Sequence, residues 1–213
     1  MVESNTIESK DIVDPHWSGY LEVLKNNNIF ACVQDKSVLE LASNGGWHSR
    51  LIYENNPEKL VCVEPDKFFM EPLYDTFASQ HENIECFWET YNQYVEKEKT
   101  KFDVVVCCGL LYHLHSPLDC IEKIINIHQP KTIIIENYDV DFAHLNEEKI
   151  NSRGNAFTDN AKQIPYNFFI PMNKWKEIFS TVGYNCIKEY KWSDYDVKHS
   201  SKEPAVMMIF NNE

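Results

Sequence analysis

Five short apolar runs, at 38–41, 60–64, 84–87, 104–108 and 132–136, recur through the chain with a helix-length stretch between each pair. Runs such as Val104-Val105-Val106-Cys107-Cys108 do not alternate apolar with polar residues. That pattern belongs to strands covered on both faces, as in a parallel sheet. The intervening stretches predict helices over 47–55, 68–79, 91–98 and 117–127. The last of these opens at Ser116-Pro117, a capping residue followed by one that suits the first helical position.

The remainder of the chain is patterned differently. Residues 139–171 lack strong periodicity and end in Tyr166-Asn167-Phe168-Phe169-Ile170-Pro171, which predicts an irregular segment on the substrate side. A helix is expected over 174–182, with Asn173 as cap and Gly183 as stop. Two closing apolar runs, 186–190 and 205–210, have no helix between them, so the sheet should finish antiparallel. The expectation is a Rossmann-like α/β fold: a seven-stranded, mostly parallel sheet with an antiparallel last strand and helices on both faces. A polar segment and helix over 1–35 would precede a single domain over 36–213.

A formal net charge of −13, with Arg50 and Arg153 the only arginines, argues against a broad phosphate-binding face. The seven cysteines form no CxxC pair and several lie in apolar runs, which predicts free thiols in a reducing compartment. No apolar run approaches the roughly 20 residues of a membrane span, and the polar, acidic start is unlike a signal peptide. No membrane partner and a cytoplasmic location are expected.

In a doubly wound sheet, ligands lie beyond the C-terminal strand ends. The first strand carries Glu40 and ends in Ala42-Ser43-Asn44-Gly45-Gly46; the second ends in Val63-Glu64-Pro65-Asp66. The separation, about 20 residues, is one at which an acid reaches ribose hydroxyls. There is no GxGxxG and no Walker lysine, and Glu40 would repel an anion. A ligand with a cationic head and a ribose fits better. The fourth strand ends in Cys108-Gly109-Leu110-Leu111-Tyr112-His113.

From about Lys36 to its end the chain resembles the class I S-adenosylmethionine-dependent methyltransferases. The motif acid-x-Gly-x-Gly-x-Gly is represented by Glu40 to Gly46, with Ala42 and Asn44 in place of two glycines. Ala42 should fit with an extended backbone, and Asn44 tolerates a left-handed one. Phe102 to Ile124, the Gly46-Trp47-His48 turn and Phe168 to Pro171 are similar to the tRNA wobble-uridine carboxymethyltransferases. Those relatives carry a basic N-terminal extension where this chain has about 35 acidic or neutral residues, so ordinary S-adenosylmethionine is the expected cofactor.

The resemblance implies that Glu40, Ala42 and the Asn44 to Gly46 backbone lie near the methionine part of the cofactor. Glu64 would take the ribose hydroxyls, Glu89 would meet the adenine edge, and Cys108 and Gly109 would flank the sulfonium. Tyr112 and His113 would face the transferred methyl, His113 either as general base or as a group that shapes the pocket. His113, His115 and His128 lack recognisable metal-ligand spacing, so no metal is expected. Trp175, Trp192, Phe168 and Phe169 would form either an aromatic lid or ordinary packing. No Asp/Asn-Pro-Pro-Tyr/Phe follows the fourth strand, which argues against a DNA amino-methyltransferase. The function expected is methyl transfer to an oxygen, nitrogen or carbon nucleophile of a small molecule, with nucleic acid the less favoured acceptor. RNA methylation and a non-catalytic scaffold are the alternatives.

Overall fold

The computed structural model describes residues 15–138, 156–157, 163–164, 170–195 and 205–212. The strands of the main sheet are β1 (Ser37–Leu41), β2 (Lys59–Val63), β3 (Ile84–Phe87), β4 (Val104–Cys108), β5 (Thr132–Tyr138), β6 (Asn185–Lys191) and β7 (Ala205–Asn211). They are ordered β3-β2-β1-β4-β5-β7-β6, all parallel except β7, which runs antiparallel to both neighbours. The helices are α1 (Pro15–Asn26), α2 (Trp47–Glu54), α3 (Lys67–Thr76), α4 (Tyr91–Lys97), α5 (Pro117–Lys123) and α6 (Met172–Thr181). Strand order reverses between β1 and β4, so the crevice beyond those two ends is where this topology places a ligand.

Each strand sends alternate residues into two separate cores. Val38, Cys62, Val106 and Ile134 join α1, α2 and α3 on one face; Leu39, Val61, Val105 and Ile133 join α4, α5 and α6 on the other. Helix α1 is part of the first core, with Tyr20 and Leu24 fully buried.

Local chemistry sets the helix ends. Asp66 caps α3 by accepting Phe68 N–H at 2.9 Å, and Thr90 with Gln93 forms a reciprocal capping box on α4. Gly183 stops α6 at φ 86°. Two caps differ from expectation. The Ser116 side chain makes no cap hydrogen bond, and Pro171 rather than Asn173 occupies the N-cap of α6. Helix α3 also ends early, at Thr76, before a separate 3₁₀ turn over Ala78–Gln80, while α5 widens into a π turn over Ile124–His128.

The expected irregular segment over 139–171, with Phe168 and Phe169, lies largely outside the described residues. Within it Ala156–Phe157 pairs antiparallel with Gln163–Ile164, and the first pair runs close to the 3₁₀ turn Leu111–His113. Among the described residues, no helix is long and apolar enough to cross a membrane.

Candidate cofactor and acceptor site

The chain passes from β1 into α2 through five residues. Ala42, Asn44 and Gly46 in that turn all take the left-handed region, with φ of 58°, 48° and 83°. The extended backbone expected at Ala42 is thus overturned. Ala42 and Ser43 N–H both reach the Val63 carbonyl, at 2.9 and 3.4 Å, and this pins a glycine-like bend on a residue that is not glycine. At Gly46 the requirement is steric as well, since an added Cβ would lie 2.3 Å from Leu73 Cδ1.

Glu64, at the end of β2, ties this turn to the next. One carboxylate oxygen accepts Asn44 N–H at 3.1 Å and the other accepts Asp66 N–H at 3.0 Å. Burial pushes its carboxyl above the usual range, while those two amides pull it back. Each oxygen has a second acceptor position left for a ligand hydroxyl.

Glu40 goes elsewhere. Alternation along β1 turns it under the first turn of α2, where it accepts Ser49 Oγ–H at 2.5 Å and lies 3.7 Å from Cys62 Sγ. Its other oxygen has no partner, and burial pushes its carboxyl up to about 8.

The ends of β1, β2, β4 and β5 frame a cleft of about 1530 Å³. Typical small-molecule sites are roughly 300–1,000 Å³, so there is room for a cofactor and an acceptor together. Of the residues singled out in the sequence, Ala42, Asn44, Glu64, Glu89, Cys108, Gly109, Tyr112 and His113 line this cleft; Glu40 and Gly46 do not. Glu89 pairs with Lys97 through one oxygen, and its other oxygen is buried with no donor. Gly109 turns at φ 72° beneath the Tyr112 hydroxyl, and the Tyr112 and His113 rings lie 4.3 Å apart.

Four further residues form a network that sequence reasoning did not assemble. Glu136, at the end of β5, accepts Trp192 Nε1–H at 3.0 Å and the Tyr20 hydroxyl. Tyr20 Oη also lies 2.6 Å from His48 Nε2. A hydroxyl has one proton; when Tyr20 donates it to Glu136, His48 Nε2–H donates to Tyr20. Burial pushes Glu136 up to about 7 and His48 down to about 4. A strand-end acid was the only local sign of this network; Tyr20 and Trp192 arrive from distant elements.

His48, Cys108 and Glu136 bring donors of metal-binding type within 4.8 Å of one another. Hydrogen bonds already engage His48 and Glu136, and burial raises the Cys108 thiol well above its ordinary pKa. His128 is far from His113 in role, its Nδ1 bonded to the Thr100 carbonyl at 2.7 Å. Trp175 is fully buried in the second core, so it is packing and not a lid.

This fold, with an acid at the second strand end and a glycine-like turn at the first, defines a Rossmann-like methyltransferase. The family model described as "Methyltransferase domain" matches residues 20–189, and the chain belongs to that family. It is similar to the tRNA U34 carboxymethyltransferase of Helicobacter pylori (strain HPAG1), with 25% identity over 122 residues. The match covers 53% of this chain and 43% of that protein, so the chain spans under half the relative's length. Magnesium protoporphyrin IX methyltransferase from Synechocystis PCC 6803, with SAH bound, shares the fold at TM-score 0.64 and 10% identity, covering 92% of this chain and 84% of that one. A proposed sarcosine dimethylglycine methyltransferase from Galdieria sulphuraria gives TM-score 0.66 at 12% identity, covering 91% and 84%.

The cofactor of such a methyltransferase is S-adenosylmethionine, and the residues present fit it. The free acceptor positions on Glu64 suit ribose hydroxyls, and the orphaned Glu89 oxygen suits an amino donor such as that of adenine.

Proposed function

We propose that the chain methylates a small molecule held in the acceptor end of the cleft, with the cofactor across the ends of β1, β2 and β3. The observation that carries this is the charge of the wall. Glu64, Asp66, Glu71, Asp75 and Glu89 line the cofactor end, Asp119 and Glu136 lie toward the other, and Lys123 is the only Lys or Arg among the described wall residues. That lysine is already bonded to Asn92 at 2.6 Å and paired with Asp119 at 2.9 Å. A polyanion finds little to replace its counterions there, whereas a sulfonium and a neutral or cationic acceptor are favoured.

Bound S-adenosylmethionine supplies an electrophilic methyl group. Glu64, held in place by the Asn44 amide, fixes the ribose end, Gly109 gives close backbone approach, and Tyr112 and His113 wall the acceptor end. Positioning of this kind supplies much of the acceleration in a two-substrate displacement. His113 shapes the acceptor pocket or takes the acceptor's proton; Tyr112 is a wall.

The curated relatives favour a second reading, methylation of tRNA. One experiment separates the two: incubation with methyl-labelled S-adenosylmethionine and either total tRNA or a protein-free metabolite extract. Label in the extract and none in tRNA is expected. Label confined to tRNA would replace the small-molecule reading.

A further inference from the structure

Glu136 is a buried carboxyl group that opens onto the cleft, and the side chains that act on it, Tyr20 and Trp192, bring no positive charge. The groups facing it are Tyr20 from α1, His48 from α2, Cys108 from β4 and Trp192 from the turn after β6. Two of them hold its oxygens by hydrogen bonds, so its position is fixed before any ligand arrives. It sits at the end of β5 beside Gly109, whose N–H points to the Glu136 carbonyl at 3.4 Å. If the cofactor lies as proposed above, this is the acceptor side of the reactive centre.

We propose that Glu136 is the acceptor-recognition carboxylate, and that it selects a protonated primary or secondary amine. A hydroxyl acceptor leaves the buried charge uncompensated, and a carboxylate or phosphate repels it; an ammonium group neutralises it. The same contact provides for the chemistry. One ammonium N–H bond breaks, its proton passes to Glu136, and the electron pair stays on nitrogen. That pair forms the new N–CH₃ bond as the C–S bond gives its electrons to sulfur. The proton then leaves Glu136 to water in the cleft, onto which the carboxyl opens.

This inference rests on the methyltransferase reading, so its test carries a separate check on that reading. Protein carrying [¹³Cδ]-glutamate and saturated with S-adenosylhomocysteine is titrated by NMR in methylammonium chloride and in sodium chloride of equal ionic strength. The Glu136 resonance, assigned by its loss in Glu136→Gln, should titrate near 7 in sodium. Methylammonium should lower that value by about 1–2 units. With ¹³C-methyl S-adenosylmethionine and a metabolite extract, the product should give an N-methyl signal.

A Glu136 titration that methylammonium moves no more than sodium would overturn the proposal, as would an O-methyl product. Stoichiometric zinc in the purified protein, lost in Glu136→Gln, would assign the His48–Cys108–Glu136 cluster to a metal instead. Thermal stabilisation by S-adenosylhomocysteine in the same samples tests the underlying reading. If it is present while Glu136 ignores methylammonium, only the amine proposal falls; if it is absent, the methyltransferase reading falls first.

Discussion

The two ends of the cleft hold their acids in different ways. Glu64 is gripped by main-chain amides of Asn44 and Asp66, within 20 residues of itself. Glu136 is gripped by the side chains of Tyr20 and Trp192, over a hundred positions away on one side and 56 on the other. An acid held by backbone depends on the path of one local turn. An acid held by side chains depends on how remote elements dock, and any of those side chains can change it. The Glu64 end of the cleft is therefore fixed locally, and the Glu136 end by elements remote in sequence.

The largest expected effect is on stability against pH, and it divides between the two regions. Glu40, beneath the cofactor turn, and Glu136 at the acceptor end are raised to about 8 and about 7. Both prefer to be protonated when folded, while the unfolded chain ionises them near 4.5. Their contribution is therefore complete below about pH 4.5 and is lost as pH rises to about 7 for Glu136 and about 8 for Glu40, on the order of 3 and 5 kcal/mol respectively. His48, lowered to about 4, acts oppositely and costs stability as pH falls from 6.5. Urea unfolding from pH 5 to pH 8.5 should show a decline that Glu136→Gln flattens only up to about pH 7 and Glu40→Gln flattens up to about pH 8, so that the decline between pH 7 and 8 is lost in Glu40→Gln alone. Equal profiles for the two variants would mean that the acids share one environment.

Removing Glu64 should silence one end only. At 100 times its dissociation constant, S-adenosylhomocysteine should stabilise the wild type by about 2.7 kcal/mol. That is a rise of roughly 5–10 °C for a domain of this size. Glu64→Ala should lose the rise, and Glu136→Gln should keep it. A full response in Glu64→Ala would move the ribose contact to another residue.

Trp192→Phe is the converse. It keeps most of the ring and deletes the N–H that Glu136 Oε1 accepts. An unsatisfied buried acceptor costs about 1–3 kcal/mol. The loss should be greatest above pH 7, where Glu136 is ionised, with the cofactor response unchanged. A variant equally stable at all pH values would show that the indole only fills space.

The same contrast explains what the sequence could and could not disclose. All seven strands, and the position of Glu64 at the second strand end on the cleft wall, follow from runs and spacings confined to a few dozen residues, where period and separation carry the geometry. Glu40 matched its motif position, yet alternation along β1 turned it beneath α2 to Ser49, a packing outcome that spacing does not encode. Tyr20 carries no local signal, and Trp192 is legible only as an aromatic residue of open role. They meet at ring centroids 4.8 Å apart only because α1 and the turn after β6 dock on the same face of the sheet. Trp175 and Trp192 looked alike in sequence, and one lies deep in the second core while the other holds Glu136.

The smallest effect tests the cofactor turn itself. Ala42 and Asn44 stand at φ 58° and 48°, where two glycines would be conformationally at ease. A non-glycine residue pays about 1–2 kcal/mol in the left-handed region. Glycine relieves that at Ala42 but gains unfolded-state entropy, which takes back about 0.4–1 kcal/mol. Ala42→Gly should therefore stabilise the fold by about 0.5–1 kcal/mol, a melting rise of roughly 1–4 °C. Asn44 differs, because its Oδ1 accepts Gly45 N–H at 2.6 Å and asparagine tolerates this backbone. Asn44→Gly should yield no gain, or a small loss. If both glycines stabilised equally, the Asn44 side-chain bond would contribute nothing. If Ala42→Gly destabilised, the tie from Ala42 and Ser43 to the Val63 carbonyl would not be what bends the chain there.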